Sequence, residues 1–192
     1  MRFEYNYSVI AVIAGSQCGK TTLTKYLVKD VPKDKVYVID DRNQYSGYPH
    51  VTIPRQHNDQ VLNSFIRDAR SHAPCCMVID DIDNYVRNSS EGSELTEYAI
   101  SGKARGVGCV FQGRRMKFID SRLWQNVDVY YFGLRMNERD LEDMSSFTNI
   151  NFDEKMEASY KSMSRNAARK PFLKYDVTTG ESQVIAVPEA FV

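Results

Sequence analysis

Apolar residues in this chain come in short continuous runs, and the polar stretches between them carry helical spacing. Residues 7–14, 35–40, 75–81, 106–112 and 127–133 are such runs, rich in β-branched side chains. Continuous rather than alternating runs of this length predict strands buried on both faces, as in a parallel sheet. Cys75 and Cys76 are neighbours in the third run and should point to opposite faces. Residues 22–29 place Leu23, Tyr26 and Leu27 on one helical face, and residues 57–71 do the same with Val61, Leu62, Phe65, Ile66 and Ala69. Residues 93–103 read as a third helix. Pro32 closes the first helix, and Pro74 opens the third strand. Residues 41–49, with Gly47 and Pro49, and the polar residues 84–92 read as loops. Asn137 is a good N-cap for a short helix carrying Leu141 and Met144, and residues 152–170 are mixed and partly helical. Near the end, residues 171–177 and 182–187 flank Thr178-Thr179-Gly180-Glu181, a hairpin signal. Strands alternating with helices predict an α/β domain with a mainly parallel central sheet.

The residues that end these runs are chemically suggestive. The first run leads into Gly15-Ser16-Gln17-Cys18-Gly19-Lys20-Thr21, which reads as a phosphate loop of the G-x-x-x-x-G-K-[ST] kind. Glycine permits backbone angles that a Cβ forbids, which is expected here of Gly15 and Gly19. Successive N–H groups can then form an anion nest, and the following helix adds its unpaired N–H groups and partial positive charge. Residues 15–22, through Thr22, are the expected nucleotide contacts. Lys20 should reach the outer phosphates of ATP, and the Thr21 hydroxyl should hold Mg²⁺.

The second run ends on Asp40 and Asp41, which lie where ligands gather in parallel sheets, although a single Asp there is more often a turn or cap residue. The third ends on Asp80 and Asp81, which resemble a Walker B pair. Asp80 would hold Mg²⁺ through water, and Asp81 would orient or deprotonate an attacking water, with Asp83 a weaker third candidate. Loop acids follow many buried strands, and it is the phosphate loop upstream that favours the catalytic reading. The fourth run ends on Gln112.

Composition narrows the partners. The chain has 192 residues, 42% of them hydrophobic and 26% charged, which suits one domain with a single core spanning 1–192. The 25 basic and 25 acidic residues cancel, so any nucleic-acid contact needs a local patch. Two acid-free basic blocks offer one: residues 101–119, with Arg105, Arg114, Arg115 and Lys117, and the segment holding Lys161, Arg165, Arg169 and Lys170. Such blocks are most often solvated surface. His50, His57 and His72 lack metal spacing and read as surface residues. Cys18, Cys75, Cys76 and Cys109 show no metal spacing either and read as reduced thiols. No run approaches the length of a membrane span, and residues 1–6 lack the layout of a secretory leader.

Taken in order, five stretches resemble one family. They are Ala14 to Thr22, Val38-Ile39-Asp40-Asp41, Met77-Val78-Ile79-Asp80-Asp81, Arg105 to Gln112, and Leu123 to Phe132 followed by Asp140. The set is similar to the HerA/FtsK superfamily of P-loop DNA-pumping ATPases. It most resembles the small genome-packaging ATPases of tailless, membrane-containing icosahedral viruses, including archaeal ones. The resemblance spans residues 7–145 and implies a three-layer α/β/α P-loop NTPase fold of RecA/HerA type, with a C-terminal helix and hairpin at 150–192. It also implies an ATP- and Mg²⁺-dependent ATPase that moves double-stranded DNA into a capsid. Partners would be further copies in a ring, a hexamer, together with capsid or inner-membrane vertex proteins, in the host cytoplasm or the virion. By this resemblance Lys20, Asp81, Gln112 and Arg105 are catalytic, and Thr21 and Asp80 bind metal. Gln112 would sense the γ-phosphate, and Arg105 would be a finger reaching the neighbouring subunit's nucleotide, with Arg114, Arg115 and Arg135 as rivals. Arg114–Lys117 and the 84–92 loop are candidates for gripping DNA phosphates in the pore.

Two departures stand out: Asp80-Asp81 replaces the family's usual Asp-Glu, and Gly113-Arg114-Arg115 stands where a proline often follows the glutamine. Two other functions fit the phosphate loop. A small-molecule or nucleotide kinase would need an arginine-rich lid, which 165–170 could mimic, and an assembly or partition factor would use ATP as a slow switch.

Overall fold

The structure is a computed structural model that describes residues 6–85, 94–115, 123, 125–133, 142, 145, 148, 161–162 and 171–187. The predicted strands form β1 (Val9–Ile13), β2 (Val36–Ile39), β4 (Cys75–Ile79), β5 (Val107–Gly113) and β6 (Val129–Gly133). All residues of these five strands are buried, as their unbroken apolar character requires. The closing hairpin is β7 (Pro171–Asp176) and β8 (Ser182–Ala186). Just beyond the segment expected to be loop, residues His50–Thr52 form β3, a short edge strand that was not expected. Its three residues carry no run of apolar side chains and its burial is slight, so periodicity had no signal to offer there.

Among the described residues these strands form one sheet in the order β3-β2-β4-β5-β1-β6-β7-β8. The first six in that order run parallel. β7 and β8 are antiparallel to their neighbours, so the hairpin extends the sheet past β6.

Helix α1 (Lys20–Leu27) covers one face, where Leu23 and Val28 pack with Ile10, Val12, Val38, Cys76, Val78 and Val110. Helices α2 (Asp59–Ser71) and α3 (Glu94–Ser101) cover the other, where Leu62, Phe65, Ile66, Leu95 and Tyr98 pack with Val9, Ile39, Cys75, Met77 and Phe111. Cys75 and Cys76 thus belong to opposite faces, as expected from adjacency in a strand. Asn58 caps α2 by accepting from the Val61 N–H at 3.0 Å. Most of the expected helices at 137–144 and 152–170, and of the 84–92 loop, lies outside the described residues.

The parallel arrangement delivers the chemically suggestive residues to one edge. The phosphate loop follows β1, Asp40-Asp41 follow β2, and Asp80-Asp81 follow β4, all at carboxyl ends of parallel strands. β5 lies between β1 and β4, and its Gln112 pairs in register with Val12, one position beyond the Ile79↔Phe111 pair.

Gly133, at the end of β6, lies against the start of the phosphate loop. A Cβ there would meet the Ala14 Cβ at 2.4 Å and the Phe172 ring at 3.2 Å. Gly133→Ala should therefore push β6 from the loop and cost about 1–3 kcal/mol, the usual range for overpacking. Urea denaturation of the variant against wild type measures this, and an unchanged midpoint would contradict the packing.

Candidate functional site

The turn from β1 into α1 is built to leave donors free. Gly19 takes the left-handed conformation (φ 84) as the cap of α1, and Gln17 is left-handed too (φ 61). No side chain caps α1 and its first turn carries no acid, so its N–H groups and positive dipole end are unclaimed. The expectation for Gly15 needs correction, since its φ is not in the left-handed region and an added Cβ would make only an ordinary 3.8 Å contact. Counted back from Gly19-Lys20-Thr21, the pattern's first position falls on Ala14, not Gly15. Ala14 serves through its backbone: its carbonyl accepts from Lys20 Nζ at 3.0 Å, and the Gly15 carbonyl accepts at 3.3 Å.

Lys20 is therefore folded back over its own loop, buried, with its pKa lowered by desolvation, against which Asp81 and Asp80 pull it up. A cavity of about 310 Å³ opens beside it, lined by Ser16, Gln17, Gly19, Lys20, Thr21, Thr22, Arg42, Gln44, Asp80 and Asp81. Gly15 and Cys18 shape the loop from behind, the thiol lying 3.7 Å from the Ser16 carbonyl.

Asp80 and Asp81 both reach this cavity although they are consecutive. The reason is local: Asp81 has left-handed backbone (φ 43, ψ 55), which breaks the alternation a strand would impose. Asp81 is 4% exposed and surrounded by cations. Its Oδ1 lies 3.8 Å from Lys20 Nζ, its Oδ2 accepts a hydrogen bond from Arg114 at 3.1 Å, and the Arg42 guanidinium pairs with the same oxygen at 3.1 Å. That pairing raises the Arg114 pKa further above its ordinary value.

Asp80 stands in the opposite environment. Burial, then the neighbouring Asp81, Asp40 and Asp41 carboxylates, push its pKa up to about 7. Oxygens of Asp40, Asp41 and Asp80 come within 4.8 Å of one another. Asp40 is committed to structure, accepting from the backbone N–H groups of Arg42 (2.9 Å), Gln44 and Tyr45 (3.0 Å). The turn reading of Asp40 is thus the one the structure supports. Asp41 accepts from Asn84 at 3.4 Å and pairs with His57 at 3.3 Å, while its Oδ1 is buried with no hydrogen-bond partner. His57 is therefore half-exposed and attached to the acidic cluster, rather than the plain surface residue expected.

This donor set fits a hard divalent cation. Mg²⁺ takes oxygen ligands, keeps several waters and binds through one or two carboxylates plus phosphates. Asp80 is an under-compensated carboxyl on the cavity wall, and Thr21, on the same wall, offers a hydroxyl that donates to Gln44 Oε1 at 3.0 Å.

Gln112 is fully buried on the α1 side of the sheet. Its amide donates to Tyr45 Oη at 2.6 Å, and its Oε1 has no partner. Arg105 sits elsewhere. The single turn Lys103–Arg105 precedes β5, at the amino end of the sheet, anchored by the Lys103–Asp128 ion pair. Arg105 is exposed there, away from its own chain's cavity. Arg114 instead meets Asp81 within one chain, Arg115 is exposed, and Arg135 lies outside the described residues. Arg42, Gln44 and Tyr45 were missed by sequence reasoning because they lie in a loop without motif. The Asp40-Asp41 pair at the end of β2 was the nearest signal.

A model of the ATPase family associated with various cellular activities (AAA) matches residues 11–101, from β1 through α3. The chain has an α/β P-loop fold. Among solved structures it is similar to B204, the DNA-packaging ATPase of Sulfolobus turreted icosahedral virus, with a TM-score of 0.73 and 16% identity over 93% of this chain and 97% of that one. B204 of Sulfolobus turreted icosahedral virus 2, in complex with ATPγS, gives 0.72 and 17% over 92% and 96%. The N-terminal domain of zonular occludens toxin from Neisseria meningitidis gives 0.54 and 11% over 96% and 97%. No curated protein matches by sequence. The P-loop ATPase fold and the likeness to viral packaging ATPases implied by the five motifs are thus borne out. No helix among the described residues is long and apolar enough to cross a membrane.

The Asp80 environment makes a stability prediction. Its folded pKa of about 7 exceeds the ordinary 3.8, so the folded state binds the extra proton between those values. Its contribution to stability is present below pH 4 and lost as pH rises through 7. Asp80→Asn should then stabilise the nucleotide-free protein relative to wild type, with the gap widening by roughly 1–3 kcal/mol from pH 5 to 8. Denaturation at each pH reads the gap, and a constant difference would contradict the assignment.

Proposed function

We propose that the protein is an ATP-hydrolysing motor that moves double-stranded DNA, acting in viral genome packaging. The observation that carries the reading is the single cavity joining Lys20, Thr21, Asp80 and Asp81 at the mouth of the phosphate loop. The extension to DNA rests on a fold shared end to end with B204, described as a DNA-packaging ATPase, in a chain of nearly the same span.

In this reading the N–H groups at the start of α1 and the Lys20 ammonium bind the phosphates. Lys20 gives up the Ala14 and Gly15 carbonyls to do so, exchanging neutral acceptors for an anionic one. Thr21 and Asp80 would hold Mg²⁺, which would supply positive charge to offset that of the phosphates. Asp81 orients the attacking water and accepts its proton. Gln112 senses the γ-phosphate through its carboxamide oxygen, which has no hydrogen-bond partner and can accept from a water, while Tyr45 holds its nitrogen. Most of the rate enhancement comes from fixed charge placed where the transition state becomes more negative.

Arg105, exposed at the far edge of the sheet, acts on a neighbour's nucleotide rather than its own. A head-to-tail contact that repeats closes into a ring. The ring, a hexamer, encloses duplex DNA and grips its phosphates through basic loops, and it works with capsid or inner-membrane vertex proteins in the host cytoplasm or at the virion's packaging vertex.

Long duplex DNA should stimulate ATP hydrolysis, and Lys20→Ala should lower the rate by about a hundredfold or more. Lys20→Ala and Arg105→Ala should each be inactive alone. Mixed in equal amounts they should regain about a quarter of wild-type activity, because one interface in four then pairs an intact phosphate loop with an intact finger. A mixture no more active than its components would reject the trans role. Phosphoryl transfer to a nucleoside or nucleotide, without DNA stimulation, would favour a kinase.

A further inference from the structure

The loop between β2 and β3 touches each element expected to act on the nucleotide. Arg42 bonds to Asp81, Gln44 accepts from Thr21, and Tyr45 accepts from Gln112. The loop backbone is rigidly set. Asp40 gathers three of its N–H groups, Asn43 is left-handed (φ 53), and Tyr45 is 1% exposed. Arg42 and Gln44 project from this frame into the cavity.

Two arginines compete for the same oxygen, Asp81 Oδ2, each at 3.1 Å. They are not equivalent. Arg114 has its backbone N–H tied to Asp83 and does not line the cavity. Arg42 lines it, and its 53%-exposed side chain lies between Asp81 and Asp41, its Nε 3.9 Å from Asp41 Oδ1. A group bonded to the acid that orients the attacking water is, by that geometry, next to the outermost phosphate rather than the inner ones.

We propose that Arg42 is a phosphate-binding residue acting within its own subunit. It leaves Asp81 for the terminal phosphate when a triphosphate enters, and thereby removes one of the two arginines crowding Asp81 Oδ2. Arg114 stays on Asp81 and positions it. The inference rests on the nucleotide-binding reading above and does not depend on DNA or on the trans finger. Its signature is discrimination between triphosphate and diphosphate, because a diphosphate offers Arg42 no terminal group.

Titration calorimetry with Mg²⁺ and either ATPγS or ADP tests it, on wild type, Arg42→Ala, Arg42→Lys and Arg114→Ala. Arg42→Ala should weaken ATPγS about tenfold or more, as expected for loss of a hydrogen bond between charged groups, while ADP changes less than about twofold. Arg42→Lys should recover part of the loss, since it keeps the charge but not the fork. Arg114→Ala should leave the ATPγS/ADP ratio as in wild type. If Arg42→Ala weakens both ligands equally, or neither, Arg42 only neutralises Asp81 and the inference is overturned. If wild type binds neither nucleotide, the nucleotide reading itself fails, which is a different result. Arg42 is half-exposed, and its melting temperature without ligand confirms that each variant folds.

Discussion

Four carboxylates meet at one end of the sheet, and their mutual repulsion is the constraint around which the rest is arranged. Asp40 and Asp41 end β2, Asp80 and Asp81 end the adjacent β4, and little solvent is present to screen them. Each is handled differently. Backbone N–H groups absorb Asp40, His57 and Asn84 take Asp41, and Lys20, Arg42 and Arg114 surround Asp81. Asp80 is left with carboxylate neighbours and Lys20 alone in opposition. The charge at the site is therefore incompletely compensated, with three cations around Asp81 and the pKa of Asp80 pushed up to about 7. Divergent environments for paired titratable groups are how acid–base and metal-binding roles separate.

That incompleteness is affordable only on a rigid platform. The acids and the phosphate loop are carried by four adjacent parallel strands whose residues are buried on both sides. Placing β5 between β1 and β4 sets Gln112 in the strand between the one that leads into the phosphate loop and the one that ends on Asp80 and Asp81. Lys20 donates to the Ala14 carbonyl and Thr21 to Gln44, so both side chains are oriented by neutral acceptors.

The likeness to B204 at 16% identity follows from the same economy. A doubly covered parallel sheet requires only that its strands be apolar and its turns short, conditions that very different sequences meet. What must be retained is narrower: a loop with free N–H groups, a lysine behind it, and acids two strands away.

The sequence alone determined the strands β1, β2, β4, β5 and β6, the hairpin, the helices α1 and α2, and the identities of Lys20, Thr21, Asp80 and Asp81. All of these are legible because burial on two faces writes a continuous apolar run, and because a phosphate loop is a contiguous motif. The tertiary structure alone decided what those residues touch. The left-handed turn at Asp81, the unexceptional backbone of Gly15, and the convergence of Arg42, Gln44 and Tyr45 on the cavity leave no periodic trace. Each depends on strands far apart in the chain becoming neighbours in the sheet. A loop side chain acquires its partner only through that packing, and local patterning carries no record of who stands opposite.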